Sequence, residues 1–305
     1  MLMTNTQSSS TRKRVNLHEK EFSIKTLHQE TPVFARPLEI LILSLASFFV
    51  ALPSFADELI TLATRPGVTQ SLLLWEPHSQ NPDTVVLLLP GGSGNVGLGM
   101  KDGRAEAARP HIFSRQREVF PQPQFAIVVV DAPSDVKDMS QEFRLSDRHS
   151  ADMAAVLLEI RTRFPNSKIA VLGHSRGTVS AGYISRRMGE RIGALILFSG
   201  VYRASKLDPL IPSSGPGLSE LDLGSLKAPT LIIHNTKDAC PVAPFKAAEE
   251  LSGRPAMIAV NGGDEANTGS PCGPGTNHWF VGMERVVGGE VVNWLLGKAW
   301  SQTVP

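Results

Sequence analysis

The sequence predicts an α/β fold: a doubly wound, mostly parallel sheet preceded by an N-terminal antiparallel hairpin. Three observations carry this reading. First, six runs are almost unbroken in apolar and β-branched residues: Thr84–Leu89, Phe125–Val130, Lys168–Leu172, Ala194–Phe198, Thr230–Ile233 and Ala256–Val260. Continuous runs of this length suit strands buried on both faces, as in a parallel sheet covered by helices. Second, amphipathic stretches fall between the runs, the order expected of strand–helix repeats. Third, Leu59–Ala63 and Ser71–Trp75 flank Arg65-Pro66-Gly67, a turn signal that makes them a hairpin.

The helices are read from periodicity. Ser150–Phe164 places Met153, Val156, Leu157 and Ile160 on one stripe, and Pro165 closes it. Gly177–Met188, Phe245–Leu251 and Val281–Leu296 are the further helical segments. Together these elements predict one domain over residues 57–305.

Composition limits the functional classes. The chain has 305 residues, 42% hydrophobic, with a formal charge of +1. That is enough chain for one large core. There is no basic excess to displace counterions from phosphates, so nucleic acid is not an expected partner.

Residues 1–56 read as a leader. A polar stretch carries Arg12, Lys13, Arg14, Lys20, Lys25 and Arg36; an apolar run follows from Ile40 to Leu52; then Ser54 and Ala56 supply small residues before Asp57. This is the order of a secretory signal, and it predicts cleavage after Ala56. The run is shorter than the roughly 20 apolar residues of a membrane span. An uncleaved signal anchor, or a start codon further downstream, are the competing readings. The expected location is the periplasm or the cell exterior. There, the two cysteines, Cys240 and Cys272, are expected to form a disulfide. By loop-closure entropy such a bridge is worth roughly 3.5 kcal/mol.

The chemistry is carried by Gly173-His174-Ser175-Arg176-Gly177. Alone, Gly-x-Ser-x-Gly is a weak signal. Here a buried strand runs straight into it and a helix follows, the setting a nucleophile elbow requires. Small residues two positions either side relieve a strained turn. The helix then starts beneath the serine, with free N–H groups facing developing negative charge. On these residues, positions 84–297 resemble the α/β-hydrolase fold superfamily, with its order Ser…Asp…His.

The resemblance implies a triad. Ser175 is the expected nucleophile. Asp238, in a short loop after Thr230–Ile233, is the expected acid, with Asp131 as a rival. His278, between the last strand and the terminal helix, is the expected base. The oxyanion hole is expected in Pro90-Gly91-Gly92-Ser93-Gly94, with the N–H groups of Gly92 and Arg176 as donors and Ser93 as an alternative to Gly92. Cys240 lies two residues after Asp238 and Cys272 six before His278. A bridge between them is therefore expected to tie the acid loop to the glycine-rich histidine loop. Gly200 to Ala228 reads as an irregular flap, in which Leu207, Leu210 and Ile211 either line an acyl pocket or pack on the core. Arg176 is read either as an attractor of anionic substrates or as a solvated helix residue.

The resemblance implies a serine hydrolase, carboxylesterase-like, acting through an acyl-serine intermediate on a small-molecule ester or amide, without metal or cofactor. A peptidase or amidase, an acyltransferase, and a catalytically silent binding protein of the same fold are the other readings.

Overall fold

A computed structural model describes residues 57–75, 79–202, 217–251, 255–263 and 269–305. The expected leader, residues 1–56, and the expected flap residues Leu207, Leu210 and Ile211 lie outside the described residues. Strands β1 (Glu58–Arg65) and β2 (Val68–Leu74) form the expected hairpin, antiparallel around Pro66-Gly67. β3 (Thr84–Leu89), β6 (Phe125–Pro133), β7 (Lys168–His174), β8 (Ala194–Phe198), β9 (Thr230–Asn235) and β10 (Ala256–Val260) match the six apolar runs. With β11 (Thr303–Val304) they build a sheet of order β1-β2-β6-β3-β7-β8-β9-β10-β11. Only the β1–β2 and β2–β6 pairs are antiparallel.

The apolar runs are two-faced, as their lack of alternation requires. Val85, Leu87 and Leu89 of β3 pack with Met153, Val156, Ala181 and Ile184, from α3 (Asp147–Arg163) and α4 (Arg176–Met188). Val86 and Leu88 face the other way, toward Phe113, Val287 and Val291, from α1 (Ile112–Arg115) and α6 (Glu284–Leu295). Each such side chain gains roughly 1.5–3 kcal/mol on burial. Among the described residues no helix is long and apolar enough to cross a membrane.

Several boundaries differ from expectation for local reasons. α3 begins at Asp147 rather than Ser150 because Ser146 caps it, accepting the N–H of His149. α6 begins at Glu284 rather than Val281, because Phe280 takes a left-handed conformation that interrupts helical winding. α5 (Phe245–Leu251) stands where expected. The short α1 was not anticipated, nor were α2 (Gln141–Leu145), the short β11, and an antiparallel ribbon of β4 (Leu98–Lys101) and β5 (Arg104–Ala107).

Candidate active site

The parallel strands deliver the site from their carboxyl ends. β7 ends in His174; Ser175 then adopts φ 52° and ψ −126°, and α4 starts at Arg176. A non-glycine residue at positive φ is strained, and it persists only where its surroundings enforce it. A Cβ at Gly173 would lie 2.5 Å from the Gly177 carbonyl oxygen, and one at Gly177 would lie 2.1 Å from Leu89 O. Both glycines are therefore steric requirements of packing strand, turn and helix this closely. Ser175 N–H donates to Phe198 O at 2.9 Å and fixes the turn to β8.

After β9, the turn to Asp238 returns the carboxylate toward the sheet. Its Oδ2 accepts Nδ1 of His278 at 2.8 Å, and its Oδ1 accepts the backbone N–H of Cys240 at 2.9 Å. Nε2 of His234 stands 3.3 Å from the same Oδ2 while donating to Ala243 O at 2.8 Å. Burial opposes the charged carboxylate, but His278 and the two histidine hydrogen bonds outweigh it and hold the Asp238 pKa below its ordinary value. With Nδ1 engaged, Nε2 of His278 is buried and carries no hydrogen bond. It is the atom that a general base of this kind presents to a serine.

Ser175 opens on a cavity of about 410 Å³ whose lining includes Gly91, Gly92, Ser93, His111, Arg176 and Trp279. The Gly91–Gly94 turn is closed by Gly94 N–H to Gly91 O at 3.0 Å, with Gly92 at φ +57°. His174 also lines this cavity. Its ring lies 5.0 Å from that of His278 and 5.5 Å from Trp279, and its Nε2 pairs with His278 O at 3.0 Å. Burial, then the His278 charge, lowers its pKa to about 3, so it is neutral at ordinary pH.

The bridge Cys240–Cys272 is formed, and both of its ends touch the site. Cys240 N–H holds Asp238, and Cys272 O accepts Nε1 of Trp279, the neighbour of His278, at 3.1 Å. Ligand atoms of Asp238, Cys240 and His278 lie within 4.8 Å of one another, but this is no metal set, because the Cys240 sulfur is spent in the disulfide.

Asp131 is elsewhere occupied. Its oxygens accept the N–H groups of Val96, Ala132 and Leu98 at 2.7–2.8 Å, pinning the base of the β4–β5 ribbon. Beyond that base, Arg109 and His111 form a wall of the cavity. Arg176 is engaged as well, with Nη1 on Asp138 at 3.1 Å and Nη2 on Met139 O at 2.9 Å.

Reasoning from sequence missed His234, His111 and Arg144. His234 had a signal, four residues before Asp238 at the end of β9; the others had none, because their neighbours come from distant segments.

No family model matches the chain, and no curated protein matches it. Solved structures do, over most of their length. An α/β serine hydrolase described as lacking a lid, from Xanthomonas campestris, aligns with TM-score 0.51 and 14% identity, over 81% of this chain and 96% of that one. An α/β serine hydrolase homologue from Coxiella burnetii gives 0.51 and 15%, over 79% and 98%. Est1E from Butyrivibrio proteoclasticus gives 0.53 and 13%, over 78% and 98%.

Proposed function

We propose that this chain, which has the α/β-hydrolase fold, is an exported serine hydrolase that cleaves carboxylic esters through an acyl-serine intermediate. One observation carries the reading: Ser175 sits strained at a strand–helix elbow while the chain independently supplies a buried Asp238–His278 pair whose Nε2 is unengaged. The names of the structural neighbours, serine hydrolases among them, support it. In this reading His278 Nε2 takes the Ser175 proton as Oγ attacks the acyl carbon. The N–H groups of Gly92 and Arg176, with Ser93 as the alternative to Gly92, receive the oxyanion. His278 then returns the proton to the leaving alcohol, and a water repeats the sequence to release the acid.

Export is part of the proposal, supported by the signal-like leader and by a disulfide at the site. N-terminal sequencing of the protein recovered outside the cytoplasm should begin at Asp57.

The central test is a panel of esters and amides on residues 57–305, with Ser175→Ala as the blank, beside labelling by a fluorophosphonate probe. Ester turnover and Ser175-dependent labelling are expected. Faster amide turnover moves the assignment to an amidase or peptidase; a folded protein that neither labels nor turns over is a binding protein.

A further inference from the structure

Beneath the Gly92–Ser93 turn lies a buried cation that forms no ion pair among the described residues. Arg144, near the end of α2, is 2% exposed. Its Nε donates to Met139 O at 3.0 Å, its Nη1 to Ser180 Oγ at 2.9 Å and its Nη2 to Gly92 O at 3.1 Å. All three acceptors are neutral. Asp138, the carboxylate whose charge it feels, is ion-paired with Arg176 instead. His149 supplies no compensation: its own burial and then the Arg144 charge push its pKa down to about 3. Burial and the neighbouring Arg176 charge lower the Arg144 pKa to about 9, which leaves it charged at neutral pH. An uncompensated buried charge is costly.

The contact to Gly92 gives the charge a use. In a trans peptide the N–H points opposite to the C=O. With Gly92 O turned to Arg144, the N–H of the same peptide unit, that of Ser93, points away from it. Ser93 lines the cavity together with Ser175, and its N–H donates to no other described group. A cation donating to a peptide carbonyl draws electron density through the amide and makes its N–H a stronger donor.

We propose that Arg144 is a positioning residue of the oxyanion hole, fixing and polarising the Gly92–Ser93 peptide so that Ser93 N–H, with Arg176 N–H, receives the charge forming on the acyl oxygen. The inference rests on the serine-hydrolase reading and moves the first donor from Gly92 to Ser93. A cation uncompensated in the resting enzyme finds its complement when the tetrahedral intermediate forms. Its effect therefore falls on the transition state and not on substrate binding.

The test uses Arg144→Gln, Arg144→Lys and Ser93→Pro in the protein from residue 57 on. Readouts are kcat and KM on an ester that wild type hydrolyses, affinity for a boronic acid that forms a tetrahedral serine adduct, and the melting temperature. Arg144→Gln is expected to lower kcat about 30-fold or more with KM within about threefold, and to weaken the boronic acid in parallel. Arg144→Lys, which keeps the charge, should recover part of that loss. Ser93→Pro removes the proposed donor and leaves Arg144 itself in place, so it tests the idea even if Arg144→Gln does not fold. It also removes the Ser93 Oγ contacts with Asn95 and constrains Gly92, so a lower melting temperature is expected; compared well below that temperature, kcat should fall comparably. A folded Arg144→Gln, or Ser93→Pro, with kcat within about threefold of wild type overturns the proposal. A wild type without turnover or fluorophosphonate labelling overturns the hydrolase reading itself, a result visible before any variant is made.

Discussion

Asp238 shows how much one side chain organises. Its oxygens meet a backbone N–H and two imidazoles, and the pair with His278 leaves that ring's Nε2 free to act as a base. Asp238→Asn keeps the shape but offers Nδ1 a donor where it needs an acceptor, so His278 is held in the wrong tautomer. In the hydrolase reading kcat should fall by about 10³–10⁴-fold while the fold survives, measured by ester kinetics alongside circular dichroism. These residues were legible because the elbow announces itself locally and the other two follow strand ends in the order the fold imposes. Arg144 was not legible: it is a charged residue in a five-residue helix, and only the packing of that helix under the glycine turn brings its Nη2 to Gly92 O.

At the scale of elements, the site depends on how closely β3, β7 and α4 approach one another. Gly177→Ala would set a methyl group 2.1 Å from Leu89 O, a backbone atom that cannot swing aside. A loss of about 3 kcal/mol or more is expected, read as a lower denaturation midpoint. The disulfide joins the loops after β9 and β10, holding Asp238 at one end and Trp279 at the other. Full reduction should therefore lower ester turnover at temperatures where circular dichroism reports an intact fold; unchanged turnover would reduce the bridge to a stabiliser alone. The strands were legible because β3 and β6 to β10 are apolar on both faces. The β4–β5 ribbon was not, since its strands are four residues each and polar, although Asp102-Gly103 is a strong hairpin turn signal that longer neighbours overshadowed.

At the scale of the whole molecule, burial holds His111, His149 and His174 in their neutral form. Burial lowers His111 to about 4 and, first among several causes, lowers His149 and His174 to about 3. Each titrates near 6.5 once unfolded, so the unfolded chain binds more protons between those values. Stability is then complete above about pH 6.5 and falls as the pH drops. By pH 5 the loss is about 2 kcal/mol per histidine, and melting temperatures measured from pH 7.5 to 5 should decline steeply. Most of this architecture was legible as a strand–helix repeat, whereas the neutral histidines were not, because burial is a property of the assembled sheet. The β4–β5 ribbon is anchored at its base by Asp131, while its far end, with Met100 61% exposed beside Asp102-Gly103, meets solvent and lies outside the cavity lining. A cysteine or peptide tag inserted between Asp102 and Gly103 would tether the protein to a solid support by a protrusion away from the cavity, with Ser175 still open to dissolved molecules.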